Sequence, residues 1–281
     1  MTRPTGPWQG ASTVYPYEKK YDHVVTVEKD GHVATITLDC AENLNRFGEQ
    51  LIDELGAALD DVHWDDEIRV AILRGTGPVS FGPGDLDIIK TKLAKDLKSA
   101  REVMFEISGL LKKLYTIPVP VIGLAEGACL GGGCNLVLST DIVVASEKAS
   151  FHELFVNYAL SPDTGGLWAL QRLVGPMKAK ALCMLGEPIG AQAALDMGMV
   201  YEVAPADEAY ARARALADKI AEKSPVGINH VKQISNRLHD YSMDTYFQIE
   251  GDYLALGALS ADFMETNVAA AQKRAPEYKG F

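Results

Sequence analysis

Several things that would assign a class at once are scarce in this sequence. Four cysteines occur in 281 residues. Cys40, Cys129, Cys134 and Cys183 show no paired zinc-ligand spacing, and Cys129 and Cys134 lie in an apolar glycine-rich run. A disulfide scaffold is thereby excluded, and the thiols read as buried groups in a reducing compartment, with no metal expected. No apolar run approaches the roughly 20 residues of a membrane-spanning helix. The segment from Met1 to Tyr17 is polar, contains Pro and Gly and has no apolar signal core, so a cytoplasmic protein without a membrane partner is expected. Positive charge is also scarce, with 27 Lys plus Arg against 38 Asp plus Glu and a net charge of −11. Neutralising phosphates along a duplex needs a clustered cationic face, so nucleic acid is not an expected partner.

What is present is ordinary globular material, 47% hydrophobic and 23% charged, enough for one sizeable core, or a core plus a helical appendage. From His23 to Leu38 apolar and polar residues alternate around Lys29-Asp30-Gly31, which predicts a hairpin whose second arm is Val33–Leu38. Leu51, Ile52, Leu55, Ala58 and Leu59 recur at helical spacing between Phe47 and Val62, and a strand at Val70–Leu73 follows. Val119–Leu124 reads as a buried strand, Glu126–Gly133 as a glycine-rich turn, Cys134–Leu138 as a helix and Asp141–Ala145 as another strand. Alternation of this kind predicts an α/β layer of successive ββα units. After Ala191 strand signals fade, apart from Val200–Val203, and helical runs continue to Lys273. The expected division is an N-terminal extension at 1–22, a core at 23–210 and a helical region at 211–281.

Three strings could carry chemistry. In Gly127-Ala128-Cys129-Leu130-Gly131-Gly132-Gly133-Cys134-Asn135, three glycines ahead of a helix leave backbone N–H groups bare at the positive end of the helix dipole. Such a place can hold an anion or a carbonyl becoming an oxyanion; close packing of helix on strand is the plainer alternative. The string has neither the Gly-Lys-Ser/Thr of a phosphate loop nor the G-x-G-x-x-G spacing of a dinucleotide fold. A second glycine-rich turn, Phe81-Gly82-Pro83-Gly84-Asp85-Leu86-Asp87, could place another amide on the same oxygen. The third string runs from Phe151-His152-Glu153 to Ser161-Pro162-Asp163-Thr164-Gly165-Gly166-Leu167-Trp168. Asp163 there could cap a helix, and His152 and Glu153 could be surface or core groups.

In this order the strings resemble the enoyl-CoA hydratase/isomerase (crotonase) superfamily from about Tyr21 to Phe281. The resemblance also rests on Leu44-Asn45, Gly75-Thr76-Gly77, Pro118–Ile122, Thr140-Asp141-Ile142, Gln171–Gly175, Leu185-Gly186-Glu187, Gly198-Met199-Val200 and Lys273–Gly280. It implies a ClpP-like spiral of ββα units with a C-terminal helical trimerisation region, assembled as a homotrimer or a dimer of trimers. It further implies an enolate held by two backbone amides, one at Gly132 and one near Asp85, where the turn is one residue shorter than the family pattern. No separate cofactor is implied, since coenzyme A arrives as part of the substrate.

The resemblance also bears on the reaction. Hydratases of the family carry a glutamate directly after Gly-Gly-Gly-Cys and a second one further on, where this chain has Asn135 and Phe155. Without two carboxylates to manage a water, hydration is disfavoured. Asp163 instead matches members with a single catalytic aspartate, the enoyl-CoA isomerase type. Two other reactions stay open: C–C hydrolysis of a cyclic β-diketone, in which His152 or Glu153 would assist Asp163, and aryl-CoA dehalogenation with Asp163 as nucleophile. A catalytically silent binding member is the remaining alternative. The chain has Cys40-Ala41-Glu42-Asn43 where coenzyme A binders usually have a basic residue and proline. Arg46, Lys90 and Lys92 are the cations left to meet phosphates, and a free cyclic ketone is an alternative substrate. Met104, Phe105, Leu154, Phe155 and Trp168 are candidates for lining an acyl pocket.

Overall fold

Residues 19–280 are described by the structure, a computed structural model. The alternating segment forms the expected hairpin: β1 (Val25–Asp30) pairs antiparallel with β2 (Val33–Leu38), Asp30 opposite Val33. Thereafter the chain repeats one move three times. A strand of a main sheet runs on into a short strand of a second sheet: β3 (Val70–Gly75) into β4 (Val79–Phe81), β5 (Val121–Ala125) into β6 (Ala128–Leu130), and β7 (Ile142–Ser146) into β8 (Ser150–His152). The second sheet ends with β9 (Pro188–Gly190) and the main sheet with β10 (Glu202–Ala204), giving the orders β1-β2-β3-β5-β7-β10 and β4-β6-β8-β9. All pairings from β2 to β10 in the main sheet are parallel, as are β4–β6 and β6–β8, with Phe81 beside Cys129 and Cys129 beside Phe151.

Helices cover both faces of the main sheet, so its central strands read as near-continuous apolar runs. α1 (Glu49–His63) turns Leu51, Ile52, Leu55, Leu59 and Val62 inward, an amphipathic stripe at a 3.6-residue period. A three-residue helical turn, α2 (Leu86–Ile88), and a π-turn at Ile89–Leu93 lead into α3 (Leu97–Thr116), which packs on α1 through Val103, Ile107, Leu110 and Leu114. α4 (Gly132–Leu138) is buried at every position. α5 (Gly166–Leu185) bends at Gly175, where the chain adopts a φ of +79° ahead of Pro176, and α6 (Ala191–Met197) follows β9.

The other face belongs to α7 (Ala209–Ala221). Its buried stripe of Ala209, Ala213, Ala217 and Ala221 lets the backbone come close to Val70, Ile72, Ile122, Leu124 and Val144. This helix crosses the boundary expected at 210–211 and lies on the sheet itself, so by packing the region that leaves the core starts after it. α8 (Pro225–Arg237), α9 (Met243–Ala258) and α10 (Ala261–Gln272) follow. Lys232 anchors α8: its buried ammonium meets Asp141 Oδ2 at 2.8 Å and donates to the Val119 carbonyl at 3.0 Å. α9 buries none of its residues and exposes Met243, Phe247, Leu254 and Leu256. No helix among the described residues is long and apolar enough to cross a membrane.

Candidate active site

Three of the four strands of the second sheet end in the strings singled out from the sequence. β4 opens into the Gly82–Asp85 turn, β6 into Gly131–Gly132 and β8 into Glu153, so three parallel neighbours deliver them side by side at their carboxyl ends. The segment expected to be all turn, 126–133, thus contains a strand, and that strand is what aims the glycines.

Two backbone contacts hold the turns together. The Gly133 N–H donates to the Gly82 carbonyl at 3.1 Å, and a Cβ on Gly133 would stand 2.3 Å from that same oxygen, so only glycine permits the approach. On the far side, buried Asn45 ties the Gly82 turn to the Leu44-Asn45 turn. Its Oδ1 accepts from the Cys40 N–H, and its Nδ2 donates to the carbonyls of Thr76 and Val79, all at 2.8 Å.

Among the described residues this network leaves two amides without an acceptor. Gly132 is the first residue of α4, where no carbonyl lies a turn earlier to receive its N–H. In the other turn, the amide of Asp85 is not available, because it donates to the Phe47 carbonyl at 3.0 Å; the unengaged amide is that of Gly84. The free amide of this turn is therefore one residue before the expected Asp85. Asp85 itself caps α2, its Oδ1 accepting from the Asp87 N–H at 2.7 Å.

Asp163 stands beside Gly132. A Cβ built on Gly132 would lie 3.7 Å from Asp163 Oδ1 and 3.0 Å from Thr164 Oγ1. Asp163 is not the N-cap of α5; Gly165 holds that place, after a left-handed pair in which Thr164 takes φ +51° and Gly165 φ +68°. A β-branched residue is strained there. The Thr164 hydroxyl donates to Asp163 Oδ1 at 2.8 Å, while Asn135 Nδ2 and the Gly166 N–H both donate to the Asp163 carbonyl at 2.9 Å. Burial pushes the Asp163 carboxyl above its ordinary value, with the Thr164 bond opposing.

Glu153 is 3% exposed, and neither carboxylate oxygen has a hydrogen-bond partner among the described residues; the same holds for Asn135 Oδ1. Burial raises its carboxyl to about 7, with the neighbouring Cys134 and Asn135 side chains acting in the opposite direction and the Asp163 charge adding to the rise. All four cysteines are free and buried, and burial moves Cys183 to about 11.

The other candidates separate. His152 is turned to the loop after α5, its Nε2 2.6 Å from the Gly186 carbonyl, which also accepts from Asn157 Nδ2. It therefore does not pair with Asp163, and the ring-opening hydrolase reading loses its histidine. Phe155 is buried with its ring tip over Gly131, beside Leu154, so it shapes the glycine turn. Trp168 packs edge-on against Tyr115 of α3 with the Arg172 guanidinium 3.8 Å from its ring centre, and Phe105 is 79% exposed. Arg46 directly precedes Phe47, which bridges Gly84, and exposed Lys90 lies in the π-turn beyond it. Lys92 is paired with Glu49. What sequence reasoning missed is the Gly84 amide and the Asn135–Asp163 bond; the one-residue deletion was the signal for the first, and nothing local signals the second.

Known proteins share this fold. The chain matches the enoyl-CoA hydratase/isomerase family over residues 28–280. It is 34% identical over 251 residues to the 1,2-epoxyphenylacetyl-CoA isomerase of Escherichia coli strain K12, covering 88% of this chain and 95% of that protein. It is 32% identical over 259 residues to the trans-2-decenoyl-[acyl-carrier-protein] isomerase of Streptococcus mutans, covering 89% and 96%. The crystal structure of an enoyl-CoA hydratase from Bacillus anthracis superposes with a TM-score of 0.86 at 28% identity, covering 92% of this chain and all of that one. A family match over nearly the whole chain, together with a shared fold, places this chain in the enoyl-CoA hydratase/isomerase (crotonase) superfamily.

Proposed function

We propose that this chain is an isomerase that moves a carbon–carbon double bond in an unsaturated acyl thioester, with coenzyme A as the acyl carrier. The observation that carries the reading is one partly accessible carboxyl, Asp163, beside Gly132, whose amide is unengaged: a Cβ there would lie 3.7 Å from Asp163 Oδ1. Asn135 spends its amide on the Asp163 carbonyl, and Phe155 is a buried aromatic, so the pair of carboxylates that would manage an attacking water is missing from those positions.

The chemistry follows from the geometry. The thioester oxygen lies between the N–H groups of Gly84 and Gly132. The Asp163 carboxylate removes a proton from carbon; the C–H electron pair moves into the conjugated system and charge gathers on that oxygen, where fixed amide dipoles stabilise it. The neutral Asp163 then returns the proton two carbons away, the electrons flow back, and the double bond has shifted with no net change in composition. Burial brings the Asp163 carboxyl nearer to neutrality than a solvated aspartate, which improves its match to both halves of the transfer. Arg46 and Lys90, on either side of the Phe47–Gly84 bridge, are the cations placed to meet the phosphates of the carrier. The exposed apolar face of α9 supports the homotrimer or dimer of trimers that the family resemblance implies.

The test is Asp163→Asn with 3-hexenoyl-CoA as probe. Expected is loss of isomerisation by at least about 10³-fold, with the melting temperature kept and coenzyme A still bound in calorimetry. Retention of most of the activity would remove Asp163 from the reaction; absence of binding by the unmodified protein would remove the carrier.

A further inference from the structure

The least explained group in the molecule is Glu153. It follows the last residue of β8 and is buried at 3% exposure, with no cation beside it among the described residues. The titratable groups that face it are Cys134 from α4, Asp163 from the turn before α5 and Cys183 from α5 itself. Every one is neutral or negative. An unpaired carboxylate in such surroundings is expelled or takes up a proton.

The unsatisfied atoms beside it say where that proton goes. Three buried acceptors lack a partner here: both Glu153 oxygens and Asn135 Oδ1. The Asn135 side chain neighbours Glu153, and with its Nδ2 donating to the Asp163 carbonyl at 2.9 Å its buried Oδ1 is left without a donor. A single proton on Glu153 turns one orphan acceptor into a donor and satisfies a second, so one hydrogen bond accounts for two of the three.

We propose that Glu153 is a positioning residue for Asp163: as a neutral acid it donates its proton to Asn135 Oδ1, and Asn135, through its bond to the Asp163 carbonyl, fixes the strained turn that carries the working carboxylate. The proposal rests on the reading of Asp163 as the proton shuttle. Its consequence is a second, alkaline limit on the reaction. When Glu153 ionises, its oxygens face Asn135 Oδ1 acceptor to acceptor, the link opens, and a second negative charge stands near Asp163. The two carboxyls then titrate as a pair, one needed charged and the other neutral.

The experiment compares the unmodified protein with Glu153→Leu and Glu153→Gln, using 3-hexenoyl-CoA for kcat between pH 5.5 and 9 and infrared difference spectra for the carboxylic-acid carbonyl band. Expected is a kcat of the unmodified protein that falls as pH rises through about 7, where burial places this carboxyl. Glu153→Leu, which leaves Asn135 Oδ1 orphaned, lowers kcat about tenfold or more with KM little changed. Glu153→Gln restores most of that loss, because its amide N–H can donate to the same oxygen, and it removes the alkaline fall and the infrared band. The proposal is overturned if Glu153→Gln is as inactive as Asp163→Asn, since Glu153 would then be moving a proton itself. It is also overturned if the alkaline limit survives that substitution, or if no acid carbonyl band disappears with it. The infrared readout needs no turnover, so it separates failure of this proposal from failure of the isomerase reading.

Discussion

Substituting alanine at Gly132 and at Gly133 should produce opposite kinds of damage from adjacent positions. Gly132 has an ordinary helical φ and its new methyl would meet only side-chain atoms, Thr164 Oγ1 at 3.0 Å and Asp163 Oδ1 at 3.7 Å. The fold has no reason to object, and the helix-propensity gain of about 1 kcal/mol offsets the tight contact with the hydroxyl. The methyl does, however, take up space beside the unengaged amide, against Thr164 Oγ1 and the Asp163 carboxyl. Displacing the thioester oxygen from one donor should cost about 10²–10³-fold in kcat, or about 3–4 kcal/mol of transition-state stabilisation. At Gly133 the methyl would stand 2.3 Å from the Gly82 carbonyl oxygen and 2.5 Å from the Phe81 carbonyl carbon, both backbone atoms. Two glycine turns must then part, at a cost of about 3 kcal/mol and a melting temperature lower by roughly 6–12 °C. Thermal melting and initial rates on 3-hexenoyl-CoA check both. A Gly132→Ala protein with near-normal activity, or one that melts as low as Gly133→Ala, would refute the placement of the oxyanion at this amide.

Two further outcomes follow from groups already described. Lys232→Met removes the counter-ion of Asp141, which keeps only the Val121 N–H on its Oδ2, and the donor to the Val119 carbonyl, and should destabilise by about 3 kcal/mol in urea unfolding. Asp163 must be charged to accept a proton, and burial raises its carboxyl above the usual aspartate value. The acid limb of kcat/KM for the free enzyme should therefore lie above pH 3.8, the ordinary aspartate position, and activity should be lost as pH falls through it; stability should behave in the opposite sense, gaining at low pH and declining as Asp163 ionises.

Much of this was legible in the chain. The hairpin, α1 and the main-sheet strands announce themselves through apolar period, and the turns that bring Gly132 and Asp163 together through their glycines. The second sheet did not, since three-residue strands such as Val79–Phe81 and Ala128–Leu130 are too short to show an alternation. α3 was also missed: its first turns, Leu97-Lys98-Ser99-Ala100-Arg101-Glu102, are polar, and its buried residues are diluted among lysines. The first amide could be placed only to within one residue, because whether a backbone N–H is engaged depends on a partner, Phe47, that lies 38 positions earlier. His152 and Glu153 looked equivalent as neighbours on one strand; alternation sends them to opposite sides, one to a loop carbonyl and the other into the interior.

The bond from the Gly133 N–H to the Gly82 carbonyl sets the gauge of the site. In the isomerase proposed above, the separation of the Gly84 and Gly132 amides is a span of main chain closed by a main-chain hydrogen bond. Evolution therefore has no dial with which to widen or narrow that gap short of breaking the fold. It remains free to exchange whatever the third loop presents, and the catalytic variety of such a scaffold must be written in the acids and amides around Asp163, over an oxygen cradle that stays the same.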